Sequence, residues 1–303
     1  MVITLIAGTG GRGRFPPRAV DTVAADALDQ IERFGVAVGV MRDTGAVATR
    51  PASQYRELAP PAALRPYVGC LWVQRLGPGD KGYRQPVLPD ACLDLIALGD
   101  RVTVAGPATR GVTVTLLPET VTVGVRFRTG AAPALLGESA AGLRDLEVAV
   151  DQLWGQAGSR LLETTAELPD WRDRLRVLVD CLLARLPEAR PIDPVGVGIP
   201  ERLTLRPRLG LADLADEVGL SERQLRRRVE EAVGYRPGLL ARILRFQRFL
   251  DAARAAGPGR HLALVAAEAG YADQAHLTRE SRELAGLPPA ALLAWEEERL
   301  GPR

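Results

Sequence analysis

Two copies of one short pattern near the C-terminus constrain this chain more than any other feature: Ala215-Asp216-Glu217-Val218-Gly219 and Ala266-Ala267-Glu268-Ala269-Gly270. Each is followed by a turn and a polar stretch of helical period. In the first copy Leu211, Leu214, Ala215 and Val218 recur at helical spacing and give a short helix one apolar stripe. Ala215 is small where two helices would cross, and Gly219 supplies the left-handed turn conformation that a Cβ resists. Ser221 followed by Gln224 predicts a capping box that starts a new helix. In that helix Leu225 and Val229 face inward at i and i+4, which leaves Arg223, Gln224, Arg226 and Arg227 outward. Arg228 is placed at the edge of the unit.

The second copy repeats this arrangement with one extra residue in its turn. Gly270 and Tyr271 turn the chain, Asp273 caps, and Leu277 takes the inward place of Leu225. Gln274, Ala275, His276, Thr278 and Arg279 form the outward set. Ser281 stands where the first copy buries Val229, which predicts a looser second unit. Between the copies, from Pro237 to about Ala256, Leu239, Leu240, Ile243, Phe246, Phe249 and Leu250 fall on one helical face. Arg242, Arg245 and Arg248 fall on the other, as expected of an amphipathic helix. At about 1.5 Å per residue such a helix would hold two recognition helices roughly one DNA turn apart. Arginine suits guanine and glutamine suits adenine in the major groove.

Three stretches carry a family resemblance in order and spacing: Leu220-Ser221-Glu222-Arg223-Gln224-Leu225-Arg226-Arg227, Ile243-Leu244-Arg245-Phe246-Gln247-Arg248, and Gly270-Tyr271-Ala272-Asp273-Gln274-Ala275-His276-Leu277-Thr278-Arg279-Glu280. Gly286-Leu287-Pro288-Pro289 follows near the end. From about Leu203 to Trp295, roughly a third of the chain, the sequence resembles the C-terminal DNA-binding domain of the AraC/XylS family of transcriptional regulators. The resemblance implies base contacts from Arg223, Arg226 and Arg227 in the first recognition helix, and from Gln274, His276, Thr278 and Arg279 in the second. Two departures stand out. Ser281 replaces the usual phenylalanine, and Asp193-Pro194-Val195-Gly196-Val197-Gly198-Ile199-Pro200 puts glycines and prolines where a clean leading helix is normal, which predicts partial unwinding there.

Composition narrows the remaining classes. With 303 residues, two domains are expected. The net charge of +2 does not advertise a polyanion partner, although nine arginines crowd the stretch from Ser221 to Arg254 against Glu222, Glu230, Glu231 and Asp251. Lys81 is the single lysine, so arginine is the general cation of this chain and placement counts for more than number. Cys70, Cys92 and Cys181 form no metal-type spacing and read as buried small residues, with a Cys70–Cys92 redox pair as the minor option. The only histidines, His261 and His276, both lie in the C-terminal third, so no metal centre, cofactor or hydrolytic triad is expected in front of it. That argues against an enzyme, including a barrel enzyme tethered to DNA. No apolar run reaches membrane-spanning length, and a cytoplasmic protein is expected.

The front of the chain reads differently. Residues 1–50 are expected to be an N-terminal extension without firm order, with Met41 as an alternative start. Their Gly8-Thr9-Gly10-Gly11-Arg12-Gly13 run lacks the helix and lysine that a phosphate loop needs, while Asp26 to Phe34 could form a short helix. From Tyr67 to Arg128 the period is two. Strands are predicted at Tyr67–Val73, Asp94–Leu98, Arg101–Ala105, Val112–Leu116 and Val121–Phe127. Helices are predicted at Leu143–Trp154 and around the stripe Leu175, Leu178, Val179, Leu182 and Leu186, which reads as core. Tyr55-Arg56-Glu57-Leu58-Ala59-Pro60, Val87 to Asp94 and Val125-Arg126-Phe127 resemble an uncharacterised domain often paired with this DNA-binding domain.

The expected fold is therefore α+β: an antiparallel β-barrel or sandwich with appended helices over 51–186, a linker over 187–202, and an all-α tandem helix-turn-helix domain over 203–297. The expected function is a sequence-specific transcriptional regulator. Double-stranded DNA and RNA polymerase are its expected partners, and a small-molecule effector and a homodimer are further options. Arg126, Arg128, Asp90 and Asp94 are the candidate effector-binding residues. The alternative is a front domain that serves protein interaction or dimerisation and takes no small ligand.

Overall fold

The computed structural model describes residues 53–77, 83–207, 209–257 and 261–300, so the expectations for residues 1–50 lie outside the described residues. The front half is built on antiparallel pairing. Strands β1 (Ser53–Leu58), β2 (Val68–Leu76), β4 (Asp94–Leu98), β5 (Arg101–Ala105), β7 (Val121–Phe127) and β8 (Glu147–Ala149) form one sheet in the order β1-β2-β7-β4-β5-β8. Strands β3 (Tyr83–Val87) and β6 (Val112–Leu116) form a separate two-stranded leaf. The sheet is open, with β1 and β8 at its edges; it does not close into a barrel.

Alternation decides the two faces of the sheet. Leu71, Val73, Leu95, Ala97, Val123, Val125 and Phe127 point to one face and are buried. They pack against α4 (Trp171–Arg185), whose Leu175, Leu178, Val179 and Leu182 supply the other side of the core. The leucine stripe is thus core, as its period implies. The opposite face carries Tyr55, Glu57, Cys70, Trp72, Gln74, Gly124, Arg126 and Asp94 by register. The β3–β6 leaf approaches this face: Gln85 on β3 takes a hydrogen bond from the Gln74 amide.

Two helical expectations need correction. The stretch Leu143–Trp154 is not one helix. Residues Glu147–Ala149 pair with β5 as an edge strand, and only Val150–Trp154 is helical (α2, following α1 at Ala132–Leu136). A further helix, α3, covers Gln156–Ala166. The glycine- and proline-rich stretch read as an unwound linker contains a twelve-residue helix, α5 (Pro194–Leu205). Asp193 caps it by accepting the Val195 N–H at 2.9 Å, and Pro194 sits at the first turn, where no N–H is needed. Pro200 lies in its interior, but Val195, Ile199 and Leu203 are buried in the C-terminal core and hold the helix in place. Gly196 is required by packing: a Cβ there would strike Ala232, and the Gly130 backbone crosses alongside.

The C-terminal half is helical: α6 (Leu211–Glu217), α7 (Glu222–Val233), α8 (Pro237–Ala256), α9 (Leu262–Glu268), α10 (Gln274–Ala285) and α11 (Pro289–Leu300). Leu240, Ile243, Phe246, Phe249 and Leu250 of α8 are fully buried and form the spine on which both halves of this domain pack. Two residues from the front half join this core, Ala91 and the partly buried Leu88. Ala91, in the loop between β3 and β4, is fully buried among these helices with φ +63°. That left-handed conformation costs about 1–2 kcal/mol for a residue with a Cβ, and the burial offsets it. No helix among the described residues is long and apolar enough to cross a membrane.

Candidate nucleic-acid interface

The first unit is assembled from α6, a turn and α7. Leu214 and Ala215 bury the inner face of α6, and Gly219 turns the chain at φ +65° while the Leu220 N–H donates to the Ala215 carbonyl. The capping box is complete: the Gln224 N–H donates to Ser221 Oγ at 3.3 Å, and the Ser221 N–H donates to Gln224 Oε1 at 3.0 Å. Leu225 and Val229 are fully buried, so Arg223, Gln224, Arg226 and Arg227 all stand on the exposed side. Arg226 pairs with Glu222 at 2.6 Å and Arg227 reaches Glu231 at 3.9 Å, both one turn away on the same helix. Exposed pairs of this kind contribute about 0.3–0.5 kcal/mol and are readily exchanged for a phosphate. The Gln224 carbonyl is committed to the cap, which leaves its NH2 end to face outward. Arg228 turns inward and makes a bidentate pair with Asp193 at the head of α5. Burial works against the Asp193 charge, but Arg228 and the Val195 N–H draw its carboxyl below the usual carboxylate range.

The second unit is assembled from α9, a turn and α10. Val265 and Ala266 are buried, Gly270 turns at φ +93°, and the Tyr271 N–H donates to the Ala266 carbonyl, matching the first unit bond for bond. Asp273 caps α10 by accepting the His276 N–H at 2.6 Å. Gln274, Ala275 and Arg279 are exposed, and the Thr278 hydroxyl donates to the Gln274 carbonyl. His276 stands apart from this set. Its ring meets Tyr271 edge-on at 5.2 Å and its Nε2 lies 3.7 Å from Glu280.

Glu280 is the residue that sequence reasoning missed. Its side chain is 4% exposed and receives Arg245 through Nε and NH2 at 3.2 and 2.6 Å, Arg242 at 3.2 Å and the Tyr271 hydroxyl at 2.9 Å. The signal was present, because Glu280 lies three residues after the inward Leu277 and so falls on the core face of its helix. The polar face of α8 is taken up by internal partners. Arg242 and Arg245 clamp α10 through Glu280, and Arg248 donates to the carbonyls of Ala269 and Thr204. Arg248 is less basic than usual, first through burial and then through the neighbouring Arg245. Ser281 does not loosen the unit: it is fully buried and its hydroxyl donates to the Leu287 carbonyl at 2.7 Å.

A family profile described as a helix-turn-helix domain matches residues 214–294, which span both units. The C-terminal domain belongs to the AraC/XylS family. The protein is accordingly a DNA-binding transcriptional regulator. In front of the AraC-type domain, a profile described as a domain of unknown function (DUF6597) matches residues 56–149, from β1 to β8. Curated proteins give no match. Among solved structures, ToxT from Vibrio cholerae overlaps 80% of this chain and 98% of its own at 11% identity and a TM-score of 0.43. Unsaturated fatty acid-bound wild-type ToxT from Vibrio cholerae strain SCE256 overlaps 84% and 97% at 10% identity and a TM-score of 0.37.

Of the four effector candidates in front of the AraC-type domain, the fold brings three together. Arg126 bonds Asp94 through Nε and NH2 at 3.1 and 2.9 Å and reaches Asp90 at 3.3 Å, while the Trp72 indole N–H donates to Asp94 at 2.9 Å. Burial disfavours the Arg126 charge, yet Asp94 and Asp90 outweigh it and raise its pKa. Burial also raises the Asp90 carboxyl, with Arg126 opposing. Arg128 is elsewhere, exposed and 3.9 Å from Glu201 on α5. A Cβ on Gly124 would run into the Trp72 indole, so the indole lies flat on the sheet beside this cluster. A cleft lined by Arg75, Leu116, Val121, Trp171 and Arg174 opens at the other end of the same strands and includes none of the four. Cys70, Cys92 and Cys181 are free thiols, and burial pushes the Cys70 thiol up to about 12. Among the described residues no group of histidine, cysteine and carboxylate side chains could hold a metal ion.

Proposed function

We propose that this regulator reads two neighbouring major-groove segments of one duplex, with Arg223, Gln224, Arg226 and Arg227 at one and Gln274, Thr278 and Arg279 at the other. The observation that carries this reading is the placement of two capped helices with exposed donor arrays on one twenty-residue helix, α8. At about 1.5 Å per residue, α8 spans about 30 Å, close to a DNA turn. His276 contributes mainly through Tyr271 and Glu280, by holding α10 in position. Bound at a promoter, such a protein has RNA polymerase as its natural partner. The test is selection of duplexes from a random pool by the full chain, followed by affinity measurement across a salt series. A bipartite site with a steep loss of affinity as salt rises supports the reading. A single short site, or a flat salt response, overturns it.

A second element of the proposal concerns the front domain, which we read as effector-responsive through Arg126, Asp90 and Asp94. The support is an open face. Val87, Val112 and Val114 of the β3–β6 leaf share a side with Gln85, which bonds Gln74, and they stay exposed. The same exposed valines favour the alternative, a homodimer or protein-interaction surface. Thermal melts with a metabolite set separate the two, because a ligand of the folded state raises the melting point. Sedimentation that shows a dimer, with no thermal response, selects the alternative.

A further inference from the structure

The contacts that pass from the front half to the AraC-type domain land behind its DNA-reading surface. Those from Pro107–Gly111, Ala140 and Arg144 fall at the C-terminal ends of the recognition helices, whereas the exposed donors stand in the N-terminal halves. One segment reaches both units. Pro107 to Gly111, the link between β5 and β6, meets the first unit where the Tyr235 hydroxyl donates to the Ala108 carbonyl at 2.6 Å. There Pro107 lies so close to Gly234, the left-handed residue that ends α7, that Gly234 has no room for a Cβ. Four residues after Pro107, the Gly111 N–H donates to the Leu284 carbonyl in the last turn of α10, at 2.5 Å.

The segment is stiffened from its own side. Asp145 accepts the Thr109 N–H at 2.6 Å and the Thr109 hydroxyl at 2.8 Å, and its own N–H donates to the Pro107 carbonyl at 3.2 Å. Asp145 holds a left-handed φ of +58° to do so. Neighbouring contacts support the same edge. The Ala140 N–H donates to the Glu231 carbonyl, and Arg144 bonds both Glu230 and the Gly234 carbonyl. The Gln247 amide, on α8 between the units, donates to the Pro89 carbonyl at 2.6 Å.

We propose that residues Pro107–Gly111 act as a crosspiece that sets the separation and pitch of the two recognition helices, so that the half-site spacing this regulator accepts is decided by its front domain. Without the crosspiece, the second unit is tied to the first by the shared apolar core around α8, the Glu280 cluster and Arg248. With it, the far ends of α7 and α10 are joined to one short, rigid segment of the sheet domain. Anything that shifts β5 or β6 then shifts both readers together.

The proposal rests on the reading of both helices as DNA readers, and its test separates the two. The probe is the duplex selected from a random pool by the full chain, together with a version carrying one half-site only and versions with one or two base pairs inserted between half-sites. One inserted base pair moves a half-site by about 3.4 Å and a tenth of a turn. The wild-type chain is expected to lose about 30-fold or more in affinity on insertion. Tyr235→Phe removes only the hydroxyl, and Thr109→Val removes only the hydroxyl bond to Asp145. Each variant, and the pair together, should cut that spacing penalty to about fivefold or less and leave half-site affinity unchanged. An unchanged penalty in the folded Thr109→Val chain, or loss of half-site binding in step with the spacing effect, overturns the crosspiece. Absence of any bipartite preference in the wild type overturns the two-reader reading, and the crosspiece falls with it.

Discussion

The two helix-turn-helix units present similar surfaces but are held from behind by different chemistry. In the first, Leu225 and Val229 seat α7 on an apolar core, and the ion pair between Arg228 and Asp193 lies at the rim, about one-third exposed on each side. In the second, α10 is seated by Leu277 together with a buried carboxylate, Glu280, on which two arginines and a tyrosine converge. An apolar seat tolerates small shifts, because dispersion and burial are not directional. A buried ionic seat does not, because a charge removed from water is stable only with its partners in place. The comparison teaches that an apparent defect in sequence, the missing large apolar residue at Ser281, accompanies a different anchoring scheme that brings its own specificity of register.

The largest effect should come from breaking that ionic seat. Glu280→Ala leaves Arg245, Arg242 and the Tyr271 hydroxyl facing a site without an acceptor, and should cost about 3–5 kcal/mol by denaturant titration of the full chain. Leu225→Ala, its apolar counterpart, should cost about 2–5 kcal/mol. A loss below about 1 kcal/mol for Glu280→Ala would show that the second unit rests on its apolar contacts alone. The next effect concerns the readers themselves. Arg226→Ala and Arg279→Ala should each weaken binding to the selected duplex by about 1–3 kcal/mol in gel shifts at fixed salt, without lowering the melting point. If only one does so, the units are unequal in reading as well as in anchoring.

Smaller effects sharpen the comparison at the caps and the rim. Ser221→Ala and Asp273→Ala should each cost about 1 kcal/mol in thermal stability, with the first slightly the greater because it also dissolves the reciprocal Gln224 bond. The smallest is the pH response of the rim pair. Asp193 is held below the ordinary carboxylate range in the folded state. Its contribution is therefore complete above that range and fades as pH falls through the folded value. Asp193→Asn should flatten the acid side of the stability profile, and an unaltered profile would remove Asp193 from the account.

Much of the interface was legible because it depends on local rules. The capping box at Ser221 and Gln224, the turns at Gly219 and Gly270 and the inward positions of Leu225, Val229 and Leu277 all follow from periodicity and capping chemistry that act within a few residues. The strands at Asp94–Leu98, Arg101–Ala105, Val112–Leu116 and Val121–Phe127 were legible for the same reason, a side-chain period of two between turn residues. Local rules failed where a distant partner made the choice. Glu147–Ala149 looks like part of an amphipathic helix, yet it completes the edge of β5 through backbone pairing. The stretch Pro194–Leu205 looks like a linker, yet its glycines let it pass close to Gly130 and Ala232 and its apolar residues fill the helical core.

The same division separates what the amino-acid order determined from what the tertiary structure decided. Order alone, through side-chain period and end-capping, set the two capped helices, the inward positions along them and the alternating faces of the front sheet. Tertiary structure decided which charges are spent and which stay available: Arg126 faces two carboxylates, Arg245 and Arg242 close on Glu280, and Arg226 and Arg279 remain outside. A charge is stable in the interior only beside an opposite charge brought there by the rest of the chain, and that meeting is a matter of three-dimensional packing, beyond the reach of any rule about neighbours in sequence.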